Sequence, residues 1–294
     1  MAIKLDIQNL VTKLDVITKT FTTSRMVGNY KSAYKGSGLE FEGFRKYQVE
    51  DDSSLIDWKA SVRTQDLLIK EFREERNLNI YFLFDVSSSM LFGSTKKLKS
   101  QYAAEVIASM AYSSMLSDDS IGLGMFTDRI VKGLKPQTGQ QPYYFLLGSL
   151  TNPKLYGGRY DLNKALDFVL QFLEGGSILI IVSDFIGLSN DWQSKIKIVS
   201  NKFDVIALMI RDPRDRELPE DGGDVVIGSP YSRERLSLKP KAVSKQYASY
   251  VKRQEHELSE LFKRAGAEFL GLSTDEDFVN PLIGMFKRRE LKYR

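Results

Sequence analysis

The chain has 294 residues, of which 42% are hydrophobic and 27% are charged, a composition typical of a globular protein with at least one full hydrophobic core. Lys and Arg (42) exceed Asp and Glu (38) by four charges, which is too small an excess to indicate a nucleic-acid partner. The chain has no cysteine, which excludes disulfides, thiolate zinc sites, iron–sulfur clusters and cysteine nucleophiles.

The amino-terminal part has a texture of its own. Apolar residues at helical spacing over 5–21 predict an amphipathic helix that docks on the main body. This segment has no uninterrupted apolar core, so we expect no signal peptide; the longest apolar runs of the chain are strand-length, so we expect no membrane span and a cytoplasmic protein. Gly, Ser and Tyr over 24–52 predict a loop or extended arm, followed by a short helix at 57–62 and a strand at 67–72.

After residue 76, strand-like and helix-like segments alternate along the chain. Such alternation predicts right-handed βαβ units and a mainly parallel sheet with helices on both faces. A further strand at 130–134 follows its predecessor so closely that we expect it to be an antiparallel edge strand. The remaining predicted strands are 79–84, 120–126, 178–182 and 205–210, and the helices are 98–116, 161–173 and 192–201.

The last third of the chain begins with a segment rich in charge, Gly and Pro. We expect residues 211–238 to form a long excursion above the sheet without regular structure. A helix over 243–265 that ends at Gly266, a strand at 268–272 that closes the sheet, and a helix at 278–286 complete the prediction. We therefore predict an α/β fold, with residues 1–76 as a helix and charged arm that pack on a main domain of residues 77–294.

A polar motif follows the first strand of the predicted sheet. The sequence Asp85-Val86-Ser87-Ser88-Ser89-Met90 places one carboxylate and two hydroxyls on one turn, directly after the apolar run 80–84. Oxygen-only ligation of this kind suits Mg²⁺ or Mn²⁺. Asp184 follows the apolar strand at 178–182, and loops that leave the carboxyl ends of parallel strands meet at one edge of the sheet. Considered alone, the two serines are equally explained as turn and cap residues.

The combination resembles the von Willebrand factor A domain and its metal-ion-dependent adhesion site. The resemblance implies that Asp85, Ser87, Ser89 and Asp184 hold the metal, with Mg²⁺ or Mn²⁺ as the cofactor. A fifth ligand in that family is a Thr, and this chain has Tyr160 in the corresponding Gly-Arg-Tyr-Asp-Leu sequence. Either a water or Asp161 substitutes for the Thr, or metal binding is weakened.

The resemblance narrows to a bacterial and archaeal family of unknown function that joins an upstream segment to a von Willebrand A domain. Genes of that family are commonly found beside MoxR-type AAA ATPases, which implies such an ATPase as the partner. Glu50 and Ser54 depart from the family pattern. The matching segments are Gly36-Ser37-Gly38-Leu39-Glu40-Phe41, Arg45-Lys46-Tyr47, Asp51-Asp52, Ile56-Asp57-Trp58-Lys59-Ala60-Ser61-Val62-Arg63, Lys70-Glu71-Phe72 and 211–219.

The upstream segment mixes charged and aromatic side chains. Half-buried charges are costly unless they are paired, so one interpretation is a salt-bridged cluster that joins the arm to the sheet domain. The other interpretation is a patch that binds a partner. The charged residues are Arg45, Asp51, Asp52, Asp57, Lys59 and Arg63, and they lie among Phe44, Tyr47, Ile56 and Trp58.

Enzymatic interpretations fail on particular residues. A haloacid-dehalogenase phosphatase needs a second Asp as general acid at the position of Ser87. The single histidine, His256, lies beside Glu255 and Glu257 off the apolar stripe of its helix, so a Ser-His-Asp triad has no base. Neither Gly93-Ser94-Thr95-Lys96-Lys97 nor Gly36-Ser37-Gly38 has the spacing and context of a nucleotide-binding loop.

The sequence thus favours a non-enzymatic module that uses Mg²⁺ to capture an acidic side chain of a protein partner. By resemblance, it works with a MoxR-type AAA ATPase in protein maturation or complex assembly. One alternative is a structural scaffold with a degenerate metal site that binds through the amino-terminal arm. Another alternative is a metal-dependent phosphatase or hydrolase.

Overall fold

The computed structural model describes residues 39–48, 51–64, 66–74, 78–189, 191–219 and 223–292, and it excludes the side chains of 39–42, 71–74 and 290–292. The helix predicted at 5–21 lies outside these ranges. The described residues form two compact units, a small one that ends before Leu78 and a main one from Leu78 onward. The predicted packing of the arm on the main domain stays a prediction.

The small unit is a two-stranded antiparallel sheet with one short helix. Strand β1 (Leu39–Lys46) pairs with β2 (Leu68–Glu74), and helix α1 (Trp58–Thr64) lies between them in the chain. The helix and β2 agree with the sequence prediction, whereas β1 is a regular strand inside the segment predicted as loop or arm. Its alternation of apolar and polar residues is interrupted by a register shift between Phe41 and Gly43, which hides the strand pattern.

Charged side chains of the small unit pair within it. The Arg45 guanidinium donates to both oxygens of Asp51, at 2.6 Å each, and this contact lowers the pKa of Asp51 to about 2. Asp57 accepts the backbone N–H of Ala60 at 3.0 Å and lies 3.1 Å from the Lys70 ammonium. Part of the predicted salt-bridged cluster is therefore present as local pairs.

The main unit contains a six-stranded sheet, whose strands in spatial order are β10 (Glu268–Ser273), β7 (Asp204–Arg211), β6 (Ile178–Ser183), β3 (Asn79–Asp85), β4 (Ser120–Phe126) and β5 (Ile130–Gln137). All neighbouring strands are parallel except β4 and β5, which form the predicted antiparallel edge. The helices are α2 (Lys99–Leu116), α3 (Gln140–Leu150), α4 (Leu162–Phe172), α5 (Trp192–Lys202), α6 (Pro213–Arg216), α7 (Pro240–Arg264) and α8 (Val279–Lys292).

Helices cover both faces of this sheet, as predicted for a Rossmann-like α/β fold. Buried side chains of α2, α3 and α8 form one core layer, and those of α4, α5 and α7 form the other. The inner strands β3 and β6 are apolar on both faces because both faces are buried. Among the described residues, no helix is both long and apolar enough to cross a membrane.

Two segments differ from the sequence prediction. Helix α3 had not been predicted, and its run of aromatic residues with Pro142 and Gly148 conceals the helical period. The excursion predicted to be irregular contains α6 and a hairpin of β8 (Val225–Gly228) and β9 (Arg235–Leu238), so that prediction was wrong. The hairpin strands have only four residues each, which is too short to show a clear alternation.

The order in which strands are added to the sheet reverses between β3 and β6. From β3 the chain proceeds to β4 on one side, whereas β6 lies on the other side of β3 and leads to β7 and β10. In open α/β sheets, ligands bind at the carboxyl ends of the strands at such a switch point. Asp85 ends β3 and Ser183 ends β6, so the predicted motif lies there.

Asp119 provides a test of the packing at the amino ends of the strands, because it directly precedes β4. Burial raises the pKa of this side chain to about 6, and it accepts the backbone N–H of Leu78 at 2.9 Å. A raised pKa in the native state means that the ionised form destabilises the fold, and this cost disappears as the pH falls from about 6 towards 4.

We expect Asp119→Asn, which keeps the acceptor and removes the charge, to increase the free energy of unfolding by about 1–3 kcal/mol at pH 7.5. The gain should shrink near pH 4.5, where the wild-type side chain is largely protonated. Chemical denaturation at both pH values measures it. An equal loss of stability at both values would contradict the argument.

Candidate functional site

The structure brings together the four residues predicted to bind a metal. Asp85, Ser87 and Ser89 belong to the loop after β3, and Asp184 follows β6, the neighbouring strand. All four side chains are buried. The loop that contains Gly158 and Tyr160 is tied to the loop after β3, because Ser88 donates its backbone N–H to the Gly158 carbonyl and receives the Gly158 N–H on its hydroxyl, both at 3.0 Å.

Asp85 lies at the centre of the site and receives neutral donors on both carboxylate oxygens. The backbone N–H of Ser87 donates to one oxygen at 2.8 Å, and the Ser183 hydroxyl donates to the other at 2.7 Å. Burial raises the pKa of Asp85, and the neighbouring Asp184 carboxylate raises it further. The site therefore contains a carboxylate that is costly to ionise as it stands.

The serines of the motif turn their hydroxyls towards one another. A short 3₁₀ helix over Ser88–Leu91 begins after Ser87 and places Ser87 Oγ 3.3 Å from Ser89 Oγ. Although Ser87 precedes this helix, its side chain makes no capping hydrogen bond to it. The interpretation of Ser87 as a helix cap is therefore wrong, and its hydroxyl is directed into the site.

Asp184 is paired with a buried lysine that the sequence did not reveal. Lys99 Nζ, at the start of α2, lies 2.7 Å from Asp184 Oδ2 and 2.8 Å from Asp215 Oδ2. The side chains of Lys99 and Asp184 are only 1% and 0% exposed. Charges this deep are stable only when paired, so the ammonium and the two carboxylates form one unit that joins α2, β6 and α6.

The backbone after β6 adopts an unusual conformation to present Asp184. Asp184 Oδ1 accepts the backbone N–H of Ile186 at 2.9 Å, and Phe185 between them has a φ of 53°. A left-handed conformation is costly for a bulky residue and persists only when its surroundings hold it. The Phe185 ring packs 5.1 Å from the ring of Phe262 on α7, which fixes the turn.

Tyr160, at the position where a Thr was expected, lies behind the site. Its hydroxyl lies 3.5 Å from Ser183 Oγ, and its ring packs against Phe126 at 5.8 Å. Burial, followed by the charge of Asp85, raises the pKa of its hydroxyl well above the ordinary value, so the phenol is neutral. Asp161 is engaged elsewhere, since it accepts the backbone N–H of Lys164 and caps α4.

A second tyrosine covers the serines. The hydroxyl of Tyr231, between β8 and β9, lies 3.0 Å from Ser87 Oγ and 2.9 Å from Ser89 Oγ. Sequence reasoning missed Tyr231 and Lys99 as members of the site, and it did not count Ser183 among the metal ligands. Ser183 has a sequence signal, because it ends a buried parallel strand beside that of Asp85; Lys99 and Tyr231 have none, because only the tertiary fold brings them here.

A neighbouring buried carboxylate serves a structural role. Asp212 accepts the backbone N–H of Ser94 at 2.7 Å and that of Arg214 at 2.8 Å, together with the hydroxyl of Thr274 at 3.2 Å. Burial opposes ionisation, but the hydrogen bonds, led by those from Ser94, lower the pKa of Asp212. Asp212 thus ties the loops after β3, β7 and β10 together beside the site.

The donor set fits a hard divalent cation by its chemistry. The side chains of Asp85, Ser87, Ser89 and Asp184 offer only oxygen atoms as metal ligands. The 3.3 Å between the two serine hydroxyl oxygens is close to the roughly 3 Å between adjacent ligand oxygens of octahedral Mg²⁺. Within the described ranges, no group of three or more His, Cys, Asp or Glu side chains could hold a metal. Two carboxylates and two hydroxyls are thus the available ligands, and Lys99 already pairs with one carboxylate.

We expect Lys99→Met to decrease the free energy of unfolding by about 3 kcal/mol at neutral pH, because it leaves Asp184 buried without its cation. Lys96→Met is the matched control, since Lys96 is exposed three residues earlier. Adding Asp215→Asn to Lys99→Met should recover part of the loss. Urea denaturation measures all three variants, and equal stability of Lys99→Met and the control would refute the role of the ammonium.

Solved structures with a similar arrangement are distant in sequence. An aerotolerance-related membrane protein from Bacteroides fragilis has 13% identity and a TM-score of 0.48, covering 73% of this chain and 99% of that one. A von Willebrand factor type A protein from Catenulispora acidiphila has 13% identity and a TM-score of 0.39, covering 77% of this chain and 44% of the other.

Relatives in sequence are more similar to this chain than the solved structures are. The uncharacterized protein Rv1480 of Mycobacterium tuberculosis is 26% identical over 274 residues, which cover 92% of this chain and 86% of the relative. The uncharacterized protein YeaD of Bacillus subtilis is 31% identical over 107 residues, which cover 36% and 24% of the two chains. The family model described as "Protein of unknown function DUF58" matches residues 43–257, so the chain belongs to the DUF58 family.

Proposed function

We propose that this chain is a protein-interaction module that holds Mg²⁺ or Mn²⁺ with Asp85, Ser87, Ser89 and Asp184. The cation would capture an acidic side chain of the partner. The observation that carries the proposal is the convergence of these four oxygen-bearing side chains at the switch point of the sheet, with Asp85 fully buried.

Electrostatics at Asp85 favours a cation. Among the described residues, Asp85 has no ion pair, and both of its oxygens receive neutral donors. A buried carboxylate is destabilising when it is ionised without a counter-charge. A divalent cation would supply that charge, and hydroxyl and carboxylate oxygens are the ligands that Mg²⁺ and Mn²⁺ prefer.

A carboxylate of the partner would occupy a coordination position of the metal that this chain leaves open. The four side chains do not fill the six positions of an octahedral ion, so a position remains for an oxygen from outside. In this role the metal would orient a carboxylate and would not activate a water. We therefore propose binding and not catalysis.

The proposed partner is a MoxR-type AAA ATPase, with the pair acting in maturation or assembly of other proteins. This part of the proposal rests on the sequence resemblance, in which the family's genes accompany such ATPases. The chain contributes no nucleotide-binding loop of its own to this pairing, so the ATPase would supply the hydrolysis.

Calorimetric titration with Mn²⁺ tests the metal site. We expect one ion to bind per chain, and Asp85→Asn to weaken binding by more than about 100-fold because it removes the central charge. Asp191→Asn, at an exposed carboxylate that makes no helix-capping hydrogen bond, should bind as the wild type does. Equal binding by Asp85→Asn and Asp191→Asn would contradict the site.

Two further observations favour a second candidate, a scaffold that binds through the small unit without a metal. Lys99 already neutralises Asp184, which weakens the need for a metal there. Trp58 and Val62 are 65% and 80% exposed, and their spacing of four residues places them side by side on α1. Exposed Trp side chains are frequent anchors of protein interfaces.

Capture of the ATPase by immobilised variants separates the two candidates. If the metal site binds the partner, Asp85→Asn should lose capture and Trp58→Ala should retain it; the scaffold predicts the reverse. Variants are preferable to a chelator, because an AAA ATPase needs Mg²⁺ itself. Ile198→Ala, at an exposed apolar residue of α5, is the control, and loss of capture in this control would invalidate the comparison.

A further inference from the structure

The hydroxyl of Tyr231 makes three contacts in the site with residues that are distant from it in the sequence. Its hydroxyl lies 2.9 Å from Ser89 Oγ, 3.0 Å from Ser87 Oγ and 3.1 Å from the carbonyl oxygen of Ile186. A carbonyl can only accept, so when the single phenol proton goes to Ile186 the phenol oxygen faces the two serine hydroxyls with its lone pairs.

The three hydroxyl oxygens form a triangle of defined size. Its edges are 2.9, 3.0 and 3.3 Å, for Tyr231–Ser89, Tyr231–Ser87 and Ser87–Ser89. Adjacent ligand oxygens of Mg²⁺ bound at 2.0–2.1 Å in octahedral geometry are separated by about 3 Å. The spacing of the phenol oxygen from the two serine oxygens thus matches the spacing expected of a third ligand of the same ion.

The ring of Tyr231 packs closely against the backbone of Gly187. Gly187 has a φ of 95°, and a Cβ added to it would lie 3.0 Å from Tyr231 Cε2 and 3.6 Å from Tyr160 Cδ1. The absence of a side chain at Gly187 lets the two tyrosine rings approach this turn together. The close fit distinguishes Tyr231 from a side chain that rests on the surface.

The element that carries Tyr231 depends on such an anchor. Strands β8 and β9 form a separate two-stranded sheet with exposed apolar side chains at Val226, Ile227 and Leu236. A two-stranded hairpin of four residues per strand is marginal on its own in water. Tyr231, at the turn between the strands, attaches the hairpin to the loops after β3 and β6.

We propose that Tyr231 is an internal ligand of the site, which holds the position that a carboxylate from outside must take. This inference rests on the proposed metal-dependent function and specifies how the site is reached. A partner's carboxylate displaces the phenol, and the β8–β9 hairpin then leaves the site with its apolar side chains available to the same partner. Binding is thereby a competition between an external carboxylate and a tethered phenol.

The experiment compares the wild type, Tyr231→Phe, Tyr231→Ala and Tyr144→Phe as full chains. Tyr144→Phe is the matched control, because Tyr144 is exposed on α3, away from the site. Hydrogen exchange of peptides that cover residues 223–238 reports the attachment of the hairpin. We expect about tenfold faster exchange in Tyr231→Phe, which loses the hydroxyl and its contacts with Ser87, Ser89 and Ile186, and no change in Tyr144→Phe.

Access to the ligand position is measured with fluoroacetate, a small carboxylate observed by ¹⁹F NMR. In the presence of Mg²⁺, Tyr231→Phe and Tyr231→Ala should bind fluoroacetate about tenfold more tightly than the wild type, and Asp85→Asn should remove the effect. Circular dichroism and thermal melting establish that each variant is folded.

The outcomes separate the two proposals. If Mn²⁺ binds in an Asp85-dependent manner but neither exchange nor fluoroacetate binding changes in the Tyr231 variants, the internal-ligand inference is refuted and the metal site stands. If no variant binds Mn²⁺ and fluoroacetate binding is independent of Mg²⁺, the proposed function fails and the inference fails with it.

Discussion

The burial of charge at the carboxyl edge of the sheet constrains the rest of this structure. Four charged or ionisable side chains are almost completely removed from solvent, namely those of Asp85, Asp184, Asp212 and Lys99. Each buried charge needs partners whose interactions compensate for its lost hydration. Lys99 joins Asp184 to Asp215, while Asp212 collects donors from the loops after β3, β7 and β10. The loops are thus held by polar contacts that a purely apolar edge would lack, and the motif residues are positioned before any ligand arrives.

The layout of the sheet was largely predictable because its signals are local. Inner parallel strands are buried on both faces, so β3 and β6 appear in the sequence as continuous apolar runs of strand length. Helix α7 has a recognisable apolar stripe, and Gly266, with a φ of 85°, ends this helix as predicted. The convergence of Asp85 and Asp184 also followed from local information, because both residues stand at the ends of parallel strands.

The features that sequence reasoning missed depend on contacts over long separations. Lys99 meets Asp184 across 85 residues, and Tyr231 meets Ser89 across 142 residues. A lysine at the start of a helix and a tyrosine in a polar turn are ordinary residues by pattern, so neither signals burial in a site. The β8–β9 hairpin is equally hidden, since four-residue strands with exposed apolar side chains have no periodicity that a buried face would impose.

The missing Thr and the two unexpected residues have one physical consequence when considered together. A short hydroxyl is absent at Tyr160, whose phenol lies behind Ser183, while a longer side chain, Tyr231, reaches the serines from a different part of the chain. Lys99 meanwhile reduces the negative charge that Asp184 offers to a cation. The absence of the Thr hydroxyl and the pairing of Lys99 with Asp184 both lower the intrinsic affinity of the site for a metal. Neither of them supplies a counter-charge to Asp85. A partner carboxylate that coordinates the ion would raise the occupancy of such a site, which couples metal binding to partner binding.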